Sequence, residues 1–411
     1  MLKYFYNRIV GRQVKGGGIV LNVNGINMSD VKSKNIAGIL RLLCREGSLS
    51  RKDIAEALGL TPAAVTIICA QLLEKGIIRE SGHSGSGVGR AGRHKILLTP
   101  CFDKYFAISV NIETDVTYVS LVRLNGEVIF TDRLRTLPDA DTTLRRIAER
   151  VNAQIKRADP GDALLGVGVG IVGAYHAEKG ETDGAFGLWE RGLPIEKILR
   201  EATGKTVVCE NNAKCFASAE LLYGDHPENA FLIKWGSGIG SALISDGRVS
   251  RAAQEIGHYI VDPEAALCRC GRRGCLETYA SSYALKSAIG EIFSPTATPV
   301  LYDALNGSVS DLMNVMRARG GEVLDEPVKE IFRRCIRLLA IAAVNTATVL
   351  DPEKIIVFGN LWNDDFLALF KEECEKISAS FAGGFIRLSS LQEKRDFIGP
   401  AALVTDRLLI G

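Results

Sequence analysis

The stretch EIGHYIV (residues 255–261), followed after a short gap by CRCGRRGCLE (residues 268–277), carries the densest chemistry in the chain. Cys268, Cys270 and Cys275 are interspersed with glycines, which permit the tight turns needed to bring three sulfurs together. His258 lies just upstream. Three thiolates and one imidazole fill a tetrahedral Zn2+ shell with no open position, so the reading is a structural zinc and not a hydrolytic one. The alternative, a redox trio of thiols, leaves His258 without a part. The other seven cysteines (Cys44, Cys69, Cys101, Cys209, Cys215, Cys335 and Cys374) are scattered and read as small core residues.

Outward from this motif, β-rich runs alternate with helical ones. FAISVNI (106–112), TYVSLVRL (117–124) and EVIFTDRL (127–134) read as a meander with a turn at Asn125-Gly126. A helix over 143–156 precedes the apolar run LLGVGVGIVG (164–173). TVVCENN (206–212) leads into the helix AKCFASAELLYG (213–224), and FLIKWGSGIGSALISDG (231–247) reads as strand, glycine turn and strand. The pattern predicts an α/β fold of open sheets flanked by helices. With 411 residues, 46% hydrophobic and 24% charged, the chain suits two or three globular domains. The longest apolar helix, 336–350, is interrupted by Arg337, Asn345 and threonines, so it reads as a buried helix and not a membrane span. The N-terminus does not read as a secretory signal, and a cytoplasmic protein is expected.

Net charge is +2, yet it is unevenly placed: residues 1–99 hold 15 Lys and Arg against 6 Asp and Glu. A basic head suggests a polyanionic partner. Apolar Ile36, Ile39, Leu40 and Leu43 mark a first helix over 33–46, which Gly47 ends. Ser50 caps a second helix, with Asp53 completing an unorthodox capping box, and Gly59 makes the turn. Thr61 caps a third helix that begins at Pro62. Two β-rich runs around the loop HSGSGVGRAGR (83–93) read as a wing. The whole is a winged helix-turn-helix for double-stranded DNA. Thr61, Ala63, Ala64 and Thr66 of the third helix are expected to face the major groove, Arg90 and Arg93 at the wing tip to reach the minor groove, and Arg51 to contact DNA beside them. Residues 1–28 read as a basic arm without fixed structure, or as a tail with no role.

The EIGH and CRCGRRGCLE motifs, with CENNAKCFASAE, WGSGIG and DPEKIIVFGN, resemble the ROK family of bacterial repressors, open reading frames and sugar kinases. The resemblance spans about residues 30–411. It implies a two-lobed, actin-like ATPase body behind the winged head: 29–99 the DNA-binding domain, 100–215 the first lobe completed by a C-terminal helix near 396–411, and 216–395 the second lobe with the zinc site. In the family, residues matching Asn211, Asn212, Glu255, His258 and Glu277 hold sugar hydroxyls. Amides and carboxylates bridge hydroxyls bidentately, and a metal-bound imidazole offers its other nitrogen.

The kinase parts depart from that pattern. Asn212 stands where the family has its catalytic Asp, and an amide cannot take a proton near neutral pH. The first phosphate loop of the family, Asp-x-Gly-(Gly/Ala)-Thr, is here Asn111-Ile112-Glu113-Thr114-Asp115, which places carboxylates where phosphate is expected. Gly359-Asn360 replaces a Gly-Gly near the adenosine. Val172 replaces a common proline, Leu188 a sugar-holding asparagine, and the loop after Gly247 is short. The expectation is therefore a non-enzymatic, sugar-responsive transcriptional repressor acting as a homodimer or tetramer. The alternatives are an ATP-dependent sugar kinase with an added DNA-binding domain, and a regulator that no longer senses sugar.

Overall fold

The computed structural model describes residues 28–84, 95–158, 163–183, 188–252, 255–309, 311–319, 324–381 and 383–410. Residues 1–27, and the wing tip with Arg90 and Arg93, lie outside the described residues.

Glycines in left-handed conformation punctuate the head. α1 (Met28–Glu46) ends at Gly47, α2 (Arg51–Leu58) at Gly59, and α3 (Pro62–Glu74) follows. α1 starts five residues before the Ser33 expected from periodicity, because nothing between Met28 and Ser33 breaks a helix. Both bonds of the capping box form: Asp53 N–H donates to Ser50 Oγ at 3.3 Å, and Ser50 N–H to Asp53 Oδ2 at 3.2 Å. Thr61 Oγ1 accepts from Ala64 N–H at 3.3 Å. β1 (Leu49–Ser50), β2 (Ile78–Ser84) and β3 (Lys95–Pro100) form an antiparallel sheet with β3 central, the described part of the wing.

One 3-10 turn, Phe102–Lys104, separates β3 from the body. The first body sheet holds β4 (Phe106–Ile112), β5 (Val116–Arg123), β6 (Val128–Arg135), β7 (Leu164–Ile171) and, after the small hairpin β8 (Tyr175–His176) and β9 (Glu181–Thr182), β10 (Val207–Asn211). β4, β5 and β6 form an antiparallel meander, and β7 and β10 add parallel beyond β4. The second sheet repeats this order. β11 (Ala230–Trp235), β12 (Ile239–Ser245) and β13 (Arg248–Val249) form its meander, with β14 (Lys354–Phe358) and β15 (Ile386–Leu388) parallel beyond β11. Helices α4 (Ala140–Ala158) and α5 (Ile195–Thr203) pack on the first sheet. The long helix Glu326–Leu350 packs on the second through Phe332, Ile336 and Leu339, against Trp235 and Trp362.

α6 (Asn212–Tyr223) begins at the end of β10, on the floor of the cleft between the two sheets. Its flank meets the C-terminal helix Ile398–Val404, which lies on β7. Gly166, Gly168 and Gly170 of β7 alternate along one face, and a Cβ on Gly168 would stand 2.0 Å from the Pro400 carbonyl oxygen. Only hydrogen fits there. The same α6 presents Ala213, Phe216 and Ala217 to a cluster that also contains Ala37, Leu40 and Leu98 of the head. Arg41 of α1 and Asp406 form an ion pair at 2.9 Å across this junction. Among the described residues no helix is long and apolar enough to cross a membrane.

Candidate metal centre and cleft

His258, Cys268, Cys270 and Cys275 converge, with all four ligand atoms within 4.8 Å of one another. His258 Nδ1 lies 3.6 Å from Cys268 Sγ, and Cys270 Sγ lies 3.5 Å from Cys275 Sγ. A tetrahedral zinc with bonds of ~2.3 Å has sulfur–sulfur edges of roughly 3.8 Å, so these separations suit one four-coordinate cation. Gly274 at φ +66° makes the close approach: a Cβ there would fall 1.5 Å from the Asp262 carbonyl oxygen. Burial, then the Arg272 charge, lowers the His258 pKa to about 4, leaving the neutral imidazole a metal requires. Burial, then the two neighbouring thiols, pushes Cys275 up to about 12. Cys270 is shifted the other way: burial opposes it, but hydrogen bonds from Arg272 and the neighbouring thiols hold it below the usual thiol range. A cation at the site would displace the remaining thiol protons. The group can hold a metal.

His258 also borders a cavity of about 620 Å³ between the sheets, together with Asn211, Asn212, Glu255 and Glu277. All five residues expected to hold sugar thus meet in one place, in a volume of the size used for small ligands. Their freedom differs. Asn211 caps α6, its Oδ1 accepting from Ala213 and Lys214 N–H at 2.9 and 3.2 Å, while its Nδ2 donates to the Gly173 carbonyl at 2.8 Å. Glu277 Oε2 accepts from Ile239 N–H at 3.1 Å. Burial, then the charge of Glu277, pushes Glu255 up to about 7. Burial also raises Glu277, against the lowering hydrogen bond from Ile239 N–H and the charges of Arg269 and Lys234. Two such carboxyl groups in a polar cavity are suited to bridging neutral hydroxyls. Val172 and Leu188 line the same cavity and give it an apolar side.

On the far side of Asn212 lies a second cavity of about 410 Å³, lined by Asn111, Glu113, Asp115, Lys234, Ser237, Gly359 and Asn360 among others. Here the residues of the altered phosphate loop are engaged. Glu113 accepts from Lys234 Nζ at 2.5 and 2.6 Å, from Ser237 Oγ at 3.0 Å and from Asn212 Nδ2 at 2.9 Å. Asn360 fills space over the glycine turn: a Cβ on Gly236 would stand 2.7 Å from its Oδ1. Lys234 was missed in the sequence. Its signal is a lone lysine inside the apolar strand FLIKW, a placement that demands a buried anionic partner.

On the head, Thr61, Ala63 and Thr66 are exposed along α3, while Ala64 is half-buried. Ile67, 59% exposed beside them, was also missed; it lies four residues after Ala63 on the same helix face. Thr66 Oγ1 donates to the Pro62 carbonyl at 2.7 Å. Arg51 pairs with Glu80 of the wing at 3.4 Å. This face has small and apolar side chains, which suits contact with thymine methyl groups.

Comparison with known proteins accounts for both parts. The winged helix-turn-helix DNA-binding profile matches residues 33–79, and the ROK family profile matches residues 107–407. The xylose repressor of Caldicellulosiruptor bescii is 25% identical over 93% of this chain and 98% of its own length. A glucokinase of Thermotoga maritima is 27% identical, over 73% of this chain and 98% of its own. Among solved structures, a ROK family transcriptional regulator, a homologue of the Escherichia coli MLC protein, superposes with a TM-score of 0.72 at 23% identity, covering 92% of this chain and 96% of its own. The kinase match covers 73% of this chain, whereas the repressor and regulator matches cover 93% and 92%. A ROK body joined to a winged helix-turn-helix head is therefore what the sequence encodes, and the chain belongs to the ROK family.

Proposed function

We propose that this chain is a DNA-binding repressor of carbohydrate-utilisation genes whose cleft binds a sugar or sugar derivative and transfers no phosphate. The observation that carries this reading is the state of residue 212. An amide there donates to Glu113 and has no capacity to accept the hydroxyl proton, which alone forfeits roughly 10²–10⁴ in rate. The xylose repressor's match along nearly the whole chain, head included, supports the same assignment. In this reading Glu255, His258 and Glu277 grip hydroxyls, with Asn211 and Asn212 at the cavity floor. Zn2+ held by His258, Cys268, Cys270 and Cys275 supplies no reaction and fixes the His258 ring and the loop leading to Glu277. Residues 29–99 read the operator. Residues 100–215 with 396–411, and 216–395, form the two lobes, and a homodimer or tetramer spaces two heads on paired half-sites.

The test is a thermal-shift panel of pentoses, hexoses, amino sugars and their phosphates, followed by operator titration with any ligand found. A ligand at 100 times its Kd raises stability by ~2.7 kcal/mol. It should change operator affinity by about 5–150-fold, as allosteric coupling of ~1–3 kcal/mol requires. Brisk sugar-dependent ATP turnover would refute the reading.

Glu255→Gln gives a second check with two readouts. Ligand affinity should fall by about 10–100-fold, because a charged bridging acceptor is lost. Stability should move the other way. The folded pKa lies above the unfolded one, so ionising Glu255 in the fold costs nothing below about pH 4.5 and most above about pH 7. The variant should therefore be more stable than wild type at pH 8, by about 1–2 kcal/mol after allowance for partial solvation, and equally stable only at about pH 4 or below.

A further inference from the structure

We propose that the Glu113 carboxylate is a resident anion. It fills an oxyanion site built by Lys234, Ser237 and Asn212 and ties the two lobes together across the cleft. Glu113 follows β4 of the first sheet, whereas Lys234 is the penultimate residue of β11 of the second and Ser237 sits in the adjoining glycine turn. The contact therefore crosses from lobe to lobe. It is also enclosed, with the Lys234 and Glu113 side chains 11% and 13% exposed.

An ammonium, a hydroxyl and an amide N–H converging on two oxygens is a donor set that suits phosphate or sulfate as well as a carboxylate. The Glu113 side chain is long enough to carry its carboxylate from the first lobe to Lys234 and Ser237 of the second. Thr114, Asn212, Lys234 and Ser237 line both cavities, so the pair stands where the two cavities adjoin. A buried lysine is costly without an anion, and here the anion is part of the chain. The wild-type site is consequently closed to soluble oxyanions, and the cleft holds its lobes together without a nucleotide. This inference holds whichever carbohydrate, if any, the other cavity takes.

The experiment compares the full-length wild type, Glu113→Gly and Glu113→Gly/Lys234→Met by isothermal titration with inorganic phosphate and tripolyphosphate. Glu113→Gly should bind at least one of these about tenfold or more tightly than wild type, and the added Lys234→Met should abolish that gain. Hydrogen exchange at residues 113–117 and 236–241 should quicken in Glu113→Gly and slow again when the anion is added. If a folded Glu113→Gly binds no better than wild type, or Lys234→Met leaves the gained binding intact, the proposal fails. Should Glu113→Gly not fold, Glu113→Gln preserves the shape and removes the charge. Its exchange at both segments must then exceed wild type, and unchanged exchange overturns the strap.

Discussion

Cys275→Ser is expected to strip the protein of its metal: close to one zinc per chain in the wild type, close to none in the variant. Cys275 is fully buried, and its sulfur lies 3.5 Å from that of Cys270. A serine hydroxyl is a weak zinc ligand beside a thiolate, and the remaining three ligands close no tetrahedron. The loss reaches further than the ion, because three of the four ligands sit on one loop whose turns, such as Cys268 N–H to the Arg272 carbonyl at 2.7 Å, bring the sulfurs together. Melting temperature should fall by roughly 5–15 °C, the equivalent of several kcal/mol in a protein of this size. Any ligand-induced thermal shift should vanish with it, since His258 and Glu277 border the cavity from that loop's two ends. Cys335→Ala, at a buried thiol outside the cluster, should leave metal content unchanged. Metal analysis by mass spectrometry with parallel melting curves settles the matter; a fully metallated Cys275→Ser protein with a normal ligand response contradicts the assignment.

Gly168→Ala is the other large effect expected, and it concerns packing alone. The new Cβ would meet the Pro400 carbonyl oxygen at 2.0 Å and Val404 Cγ2 at 2.9 Å. The obstacle is backbone in a buried helix, so no rotamer change relieves it. That helix is itself wedged against α6, where a Cβ on Gly399 would stand 3.0 Å from Phe216 N. The overpacking should cost about 3 kcal/mol or more, with a melting temperature lower by roughly 5–10 °C or insoluble expression. Gly290→Ala is the matched control. It lies in the helix Ser282–Ile292 with nothing within 4 Å of its added Cβ, and should be neutral or stabilising by about 0.5–1 kcal/mol.

Both predictions rest on features with unequal visibility in the sequence. The head was legible because its signals are local: Ser50 and Thr61 as caps, Gly59 as the turn and Pro62 at a first helical position each act within a few residues. The ligand set of His258 and three cysteines was legible for the same reason, being confined to 18 residues. What the sequence hides is pairing across distance. Glu113 and Lys234 stand 121 positions apart, and no periodicity links them. The role of Asn211 was half visible: asparagine before a helix is a cap, and the cap consumes much of the side chain that the family resemblance assigns to sugar. The glycines of LLGVGVGIVG announced a strand but not the C-terminal helix that needs their bareness. The stripe of Ile36, Ile39, Leu40 and Leu43 predicted one buried face of α1; Ala37 and Leu42 are buried too, at 4% and 5% exposure. Periodicity could not anticipate that second face, because part of what the head rests on, α6, lies more than a hundred residues away.

The fusion of α1 with α6 removes the notion of a detachable reader. A head severed after Pro100 would carry a bare oily flank into water, and a body severed there would do the same, so neither half should behave as it does in the intact molecule. The helix that rests against the head starts at Asn212, which lines the cavity of about 620 Å³, and runs ~18 Å. A displacement at one end would reach the other through a continuous helix of 12 residues.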